Sequence, residues 1–312
     1  MTTAAPAAGR AAVKNRPAHI VFKAVSTTAG VLILIALGGV AIFLVAQAVP
    51  AIIGPIPEEE GANFWAWVWP LTFGTLWSSF IAMLMAVPLA VSIALFITHF
   101  APRRLSQILG YIIDLLAAIP SVIYGLWGIA VLAPFFQPGF VWLADNLGWL
   151  PLFAPPASGT GRTILTASVV LAVMVLPIIT ALCREIFLQT PRLNEEAALA
   201  LGATRWEMVR MAVFPYARSG MVSAVMLGLG RALGETMAVA MVLASAGVVS
   251  FVLIGSQNPS TIAANIALRF PEAHGLTVNM LIGSGLVLFA ITLLVNGISR
   301  WIIARTTVDG GR

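Results

Sequence analysis

Apolar residues form six long stretches along this chain. They cover residues 24–49, 70–97, 108–133, 164–187, 219–245 and 276–303. Each stretch is long enough to cross about 30 Å of hydrocarbon as an α-helix. None of them alternates apolar and polar residues in the way that a membrane β-strand does. The pattern therefore predicts an all-α membrane protein with six transmembrane helices.

The composition and the charge distribution support this prediction and orient the helices. Of the 312 residues, 60% are hydrophobic and only 9% are charged, which excludes a soluble domain. All Lys and Arg residues except Arg162, Arg231 and Arg269 fall on the side of the two termini. The positive-inside rule therefore predicts that both termini lie in the cytosol. This topology accounts for the net charge of +5, and the scattered basic residues argue against nucleic-acid binding.

The segments at the ends and between the helices complete the predicted layout. Residues 1–23 are basic and rich in alanine, and we expect a disordered cytosolic tail there. Residues 24–306 are the predicted transmembrane domain, and residues 307–312 are a second cytosolic tail. On the outer side, the glutamates at 58–60 are expected in a solvated loop or at a partner protein. Residues 140–147 are expected to form a short helix at the membrane surface.

The fifth apolar stretch contains two charged residues, Arg231 and Glu235. On a continuous helix, their spacing of four places both side chains on one face. An arginine at the bilayer centre costs about 2.5–3.5 kcal/mol on the insertion scale, so Arg231 is expected to face a partner helix or a polar path. A fixed ion pair that only holds helices together is the alternative, although Arg before Glu is the weaker helical order. Gly230 and Gly234 form a G-x-x-x-G pair that permits close approach of another helix.

A second group of polar residues lies in the third apolar stretch, at residues 118–125. Pro120 weakens the helical hydrogen-bond ladder there. Ser121 and Tyr124 place two hydroxyl groups on one face of a helix. Two interpretations remain open: the hydroxyls line a transport path, or they bind backbone groups that Pro120 leaves without a partner.

The loop between the fourth and fifth stretches carries several helix start and stop signals. Thr190 followed by Pro191 predicts the cap and first position of a helix. Gly202 can adopt the left-handed conformation that ends this helix. A capping box at 204–207 predicts a second helix, which we expect to end at Pro215. Two short helices joined by a glycine favour a docking element over a plain connector.

The same loop, at residues 188–216, also carries a pattern of specific residues. The pattern consists of Glu196, Ala197, Ala198, Gly202, Arg205 and Pro215. It resembles the EAA loop of ABC-transporter permeases, the coupling element that docks into a cleft of the ATPase subunit. The small side chains of Ala197 and Ala198 are expected to be exposed and to leave room for that surface.

Two further stretches narrow the resemblance. Residues 118–128, AIPSVIYGLWG, and residues 228–239, GLGRALGETMAV, look like the phosphate-specific permeases of the PstC type. The similarity extends from the second helix to the C-terminus. It implies the six-helix fold of a type I ABC importer permease and a multi-pass location in the bacterial cytoplasmic membrane.

The resemblance also implies a function: the permease subunit of an importer that moves inorganic phosphate by alternating access. The implied partners are a second, PstA-like permease, two copies of an ATPase subunit and an outer-face phosphate-binding protein. The implied substrate path contains Arg231, Glu235, Ser121 and Tyr124. A guanidinium group stays charged and its fork matches phosphate oxygens. Glu235 is expected to hold Arg231 until phosphate displaces it.

The chain contains no ATP-binding motif, because neither Lys14 nor Lys23 lies in a phosphate-binding loop. We therefore expect a transport subunit that is not an enzyme, with no catalytic residue, metal or cofactor of its own, while ATP and Mg are used by partner subunits. One alternative is a proton-coupled secondary transporter in which Asp114 and Glu235 carry protons. Another is an ABC permease for a different oxyanion, such as sulfate or molybdate.

Overall fold

The protein is described by a computed structural model that covers residues 17–55, 57 and 61–308. Its α-helices are α1 (Pro17–Ile53), α2 (Phe64–Leu95), α3 (Arg103–Ala117), α4 (Ser121–Trp127), α5 (Ala133–Leu147), α6 (Ile164–Leu188), α7 (Arg192–Ala200), α8 (Arg205–Met208), α9 (Phe214–Leu233), α10 (Met237–Val242), α11 (Ile262–Arg269) and α12 (Leu276–Val308). Turns of π-helix, here called wide turns, lie at Phe96–Phe100, Gly128–Leu132 and Val209–Val213.

Within these described residues, six helical segments are long and apolar enough to cross a membrane. Spans 1 to 6 are Ile20–Ile53, Phe64–Phe100, Ser121–Leu147, Ile164–Leu188, Arg205–Leu233 and Leu276–Trp301. The prediction of an all-α membrane protein with six transmembrane helices is confirmed. The bounds of spans 3 and 5, however, differ from those predicted.

The first and last helices extend into the predicted terminal tails. Residues 17–23, predicted as disordered, belong to α1. Proline is favourable at the start of a helix, since its fixed φ is helical and its missing N–H would have no partner there. At the other end, α12 continues through residues 307–308, because helix growth adds one hydrogen bond for each residue that it orders. Residues 1–16, 58–60 and 309–312 lie outside the described part of the chain.

The chain divides into two compact units, Met1–Ala46 and Gln47–Arg312. In the first unit, the described residues form an apolar helix, the larger part of α1. The second unit contains the remaining helices and the main core. All elements discussed below belong to this second unit.

The second unit is built around the contact of α2 with α6. Fully buried side chains recur every four residues on each helix. The stripe on α2 consists of Ala82, Ala86, Ala90 and Ala94, and the stripe on α6 consists of Leu171, Val175, Ile179, Cys183 and Phe187. This recurrence places each stripe on one helix face. The small alanines let the two helices approach closely, which is how membrane helices associate.

Span 3 begins later than predicted. Residues 108–133 do not form one helix, because α3 ends before Pro120 and a new helix begins after it. Proline has no N–H to donate, and it disfavours the helical conformation of Ile119 before it. Span 3 therefore begins at Ser121, and it extends to Leu147. The prediction of a separate surface helix at 140–147 is therefore wrong.

Pro215 does not end a helix, as the sequence predicted, but lies inside span 5. It is the second residue after the wide turn of that span, in which the N–H of Phe214 donates to the carbonyl of Val209. Such a turn shifts the register of the hydrogen-bond ladder and accommodates a residue that cannot donate. Pro134 occupies the same place after the wide turn of span 3.

Helix α10 packs onto span 3 at two glycines. A Cβ atom at Gly125 would lie 2.9 Å from the Cα of Ala238, and one at Gly128 would lie 2.8 Å from a methyl group of Val242. These distances are shorter than van der Waals contact, so only glycine permits this approach. The stretches 118–128 and 228–239, which carry the family resemblance, thus meet in the folded chain.

We expect Gly125→Val to destabilise the bundle, because the new side chain would meet the backbone of α10. Overpacking of this kind costs about 1–3 kcal/mol, which would appear as a lower melting temperature of the purified protein in detergent. Gly139→Val is the matched control, since a Cβ there has no neighbouring atom within 4 Å. Equal melting temperatures of the two variants would contradict this packing.

Candidate functional site

Arg231 and Glu235 do not share one helix, contrary to the prediction of a continuous helix through residue 245. Helix α9 ends at Leu233, and Gly234 and the next two residues separate it from α10. Glycine loses more conformational freedom in a helix than any other residue, so it favours a helix end at this point. Arg231 therefore lies in the last turn of α9, and Glu235 lies in the break.

Glu235 is buried, with 8% of its surface exposed. Its Oε1 accepts a hydrogen bond of 3.1 Å from the backbone N–H of Ala238, in the first turn of α10. Within the described residues, neither Glu235 nor any other acidic side chain forms an ion pair with Arg231. In this state the carboxylate stabilises the start of α10, while the guanidinium remains available to another group.

Arg231 lines a cavity of about 680 Å³ between α9 and α12. The polar residues that line the cavity with it are Ser223 on α9 and Asn296, Ser299 and Arg300 on α12. Arg300 was predicted as a basic residue at a cytosolic helix end, not as part of a site. Its spacing of four from Asn296, which places both on one helix face, was the available signal.

Tyr124 connects the site to the break before span 3. Its hydroxyl group donates a hydrogen bond of 2.9 Å to the carbonyl of Leu116, across the interruption at Pro120. Tyr124 also lies close enough to Arg231 to interact electrostatically with the guanidinium. The hydrogen bond supports the second interpretation left open by the sequence, in which the hydroxyl binds a backbone group near Pro120. Ser121 is the half-buried first residue of α4.

Asn258 was not among the predicted functional residues, yet it is fully buried. Its Nδ2 donates to the carbonyl groups of Gly255, Ala244 and Arg162, at 2.9, 3.4 and 3.5 Å. Its Oδ1 accepts from the N–H of Ile164 at 3.3 Å. These bonds tie the extended segment that follows α10 to the start of α6.

Among the helix signals of the loop at 188–216, Gly202 and the capping box behave as predicted, whereas Thr190 and Pro215 do not. Gly202 adopts the left-handed conformation, with φ of 85°. The capping box is present, since Thr204 and Glu207 bond to each other's backbone N–H. Thr190, however, does not cap α7. Its hydroxyl oxygen is buried without a hydrogen-bond partner in the described part of the chain, so it cannot reach the first helical turn.

The EAA-like residues lie on the surface of this loop, with one correction. Glu196, Ala197, Gly202, Arg205 and Pro215 are exposed. Ala198 is half-buried and packs against the main core, contrary to the expectation that both alanines are exposed. The reason is that adjacent helical residues point in different directions, so only one of the two can face away from the bundle. Two large apolar side chains on the same loop, Leu193 and Leu201, are also exposed.

The loop contacts the end of span 2 through His99. The Nε2 of His99 lies 3.5 Å from the Oε1 of Glu195 on α7. The His99 ring also meets the ring of Phe187 edge to face, with centroids 6.4 Å apart. These contacts connect the loop to α2 and α6, the two helices that carry the buried stripes.

Comparisons with known proteins identify relatives over most of the chain. A family model described as the binding-protein-dependent transport system inner membrane component matches residues 86–308. Phosphate transport system permease protein PstC 2 of Mycobacterium tuberculosis is 48% identical, over 96% of this chain and 96% of that protein. Phosphate transport system permease protein PstC of Mesorhizobium japonicum is 41% identical, over 93% of this chain and 91% of that protein.

Two solved structures share the fold. A bacterial ABC transporter that imports the acidic polysaccharide alginate gives a TM-score of 0.55 at 18% identity, over 93% of this chain and 98% of that one. The inward-facing MetNI methionine ABC transporter gives 0.54 at 18% identity, over 77% of this chain and 94% of that one. The expected fold of a type I ABC importer permease is confirmed.

We expect Asn258→Leu to destabilise the segment that follows α10, because buried backbone groups would lose their partners. Each buried group left without a partner costs about 1–3 kcal/mol. Thermal unfolding in detergent measures the loss. Asn146→Leu is the matched control, since Asn146 is exposed and its amide donates to the carbonyl of Trp142 one helical turn earlier. If the two variants unfold at the same temperature, Asn258 does not hold the segment in place.

Proposed function

Because the chain belongs to the family of binding-protein-dependent transport system inner membrane components, we propose that it is the permease subunit of an ABC importer for inorganic phosphate. It is a multi-pass protein of the inner membrane. Phosphate is the substrate named for relatives that match almost the whole chain. The observation in the molecule that carries the proposal is Arg231, a permanent cation that lines a cavity between two spans.

The chemistry of the substrate fits this site. A phosphate group carries about −1.5 to −2 charges near pH 7, so it needs a cation wherever it leaves water. The guanidinium of Arg231 does not deprotonate, and two of its N–H groups can donate to two oxygens of one phosphate. Tyr124 lies within the field of Arg231 and belongs to the proposed path. Ser121, on the same helix, and Glu235, at the start of α10, complete it.

Other subunits would supply the energy for transport. We propose that two copies of an ATPase subunit bind ATP and Mg, and that this chain acts only as the transport subunit. The loop at 188–216 is the proposed coupling element, and its exposed Ala197 and Leu201 support docking of another protein. A second, PstA-like permease would complete the path, and an outer-face binding protein would deliver phosphate. Movement of the coupling loop would then alternate access between the two sides.

Arg231→Ala is expected to reduce phosphate uptake by about 10–100-fold, because it removes hydrogen bonds from a charged donor. The measurement is uptake of radiolabelled phosphate in cells that express the chain with its partners, at equal membrane abundance. Arg218→Ala is the control, since Arg218 is exposed on α9, lies outside the coupling loop and does not line the cavity. If Arg231→Ala leaves phosphate uptake unchanged, Arg231 does not bind phosphate in the transport path.

The same assay tests the energy source. Uptake by the wild type should stop on depletion of ATP and continue in the presence of an ionophore. If uptake stops when the ionophore is added and does not depend on ATP, the proton-coupled transporter is favoured instead. A competition series with sulfate and molybdate tests the substrate, and phosphate should be the strongest competitor.

Ala197→Phe should uncouple the ATPase, because a large side chain on the exposed face of α7 would block close approach of another subunit. Melting temperature and membrane abundance should stay unchanged, since surface substitutions usually alter stability by less than about 0.5 kcal/mol. Copurification of the ATPase and phosphate uptake measure the effect. Ala197→Ser, which keeps a small side chain, is the control. Normal uptake by Ala197→Phe would argue against docking at this face.

A further inference from the structure

The cavity beside Arg231 contains a second arginine, Arg300. Arg231 extends from α9 in span 5, and Arg300 extends from α12 in span 6. Side chains on a helix incline toward its N-terminus. Since consecutive spans cross a membrane in opposite directions, the two arginines incline toward each other along the cavity.

Neither positive charge has a carboxylate partner among the described residues. Among the described residues that line the cavity there is no carboxylate. The ion pairs in the described part of the chain involve His99 and Arg184, and neither cavity arginine takes part. Like charges that share a partly desolvated space repel each other. An anion between them would turn this repulsion into attraction.

The remaining polar side chains suit an oxyanion with several acceptor atoms. Asn296 lies one helical turn before Arg300 and can donate from its amide. Ser223 lies two turns before Arg231; its hydroxyl donates to the carbonyl of Ser219 at 3.0 Å and would rotate to donate to an anion. Together with the two guanidinium forks, these groups supply donors from both sides of the cavity.

We propose that Arg231 and Arg300 together bind one phosphate group in this cavity, so that Arg300 is a second substrate-binding residue of the path. This inference rests on the proposed function, in which Arg231 alone carried the positive charge. It assigns the site to the space between spans 5 and 6. The phosphate group can come from free inorganic phosphate or from a lipid headgroup, because Arg300 lies near the end of its span.

The test compares Arg300→Gln and Arg300→Lys with Arg218→Gln. Arg218 is an exposed arginine of α9 that does not line the cavity, so its loss removes the same charge without touching the site. Equilibrium binding of radiolabelled phosphate is measured on the complete permease and ATPase assembly, in nanodiscs of phosphatidylcholine and without the outer-face binding protein. Phospholipid that copurifies with each variant is measured separately.

Arg300→Gln should weaken phosphate binding by about 10–100-fold, the range for loss of a hydrogen bond to a charged group. Arg300→Lys should lose less phosphate affinity, because lysine keeps the positive charge but not the forked pair of N–H donors. Arg218→Gln should bind as the wild type does. The losses from Arg231→Ala and Arg300→Gln should not add in the double variant, since both side chains hold the same anion.

Thermal unfolding separates binding from a structural role. Without phosphate, Arg300→Gln should melt at the same or a higher temperature than the wild type, because it relieves repulsion between two cations. Added phosphate should raise the melting temperature of the wild type and not that of Arg300→Gln. A lower melting temperature in both conditions, with unchanged phosphate affinity, would mean that Arg300 only supports packing and would overturn the proposal.

The other outcomes also decide the question. Unchanged phosphate affinity with less copurified phospholipid would assign the site to a lipid headgroup. No change in either quantity would overturn it. If Arg231→Ala abolishes uptake while Arg300→Gln behaves like Arg218→Gln, the proposed function stands and this inference fails. If neither arginine affects uptake or binding, both this inference and the proposed role of Arg231 fail.

Discussion

Close packing of α2 against α6 determines where the other helices of the second unit can lie. In a bilayer, lipid tails are as apolar as the side chains, so helices associate through tight van der Waals contact. Alanines on α2 permit this contact, and further helices also pack against α6. Helix α9 approaches α6 at Gly228, where a Cβ would lie 2.6 Å from Ile179. Helix α3 approaches at Gly110, which lies beneath the guanidinium of Arg184.

The break at Gly234 explains how two charged residues fit within one apolar stretch. Arg231 lies in the last turn of α9, where the negative end of the helix dipole partly compensates its charge. Glu235 lies at the start of α10, where a backbone N–H binds its carboxylate. Each charge is therefore stabilised by a helix end. Neither side chain needs the other, and Arg231 is left beside the cavity.

Prolines in this chain have different effects that depend on the turn beside them. Pro120 follows the end of α3 and separates two helices. Pro134 and Pro215 each follow a wide turn, and the span continues through them. The difference lies in the hydrogen bonds of the preceding turn. These hydrogen bonds therefore set the bounds of spans 3 and 5. The sequence predicted those bounds incorrectly.

The sequence by itself determined the features that depend on neighbouring residues. These include the six spans, the left-handed Gly202, the capping box at Thr204 and a cation in an apolar stretch. The tertiary structure alone decided the features that depend on distant residues. Arg300 joins Arg231 in one cavity, and Asn258 binds the start of α6, because particular faces of separate helices meet. Helix periodicity defines those faces but does not specify which of them come together.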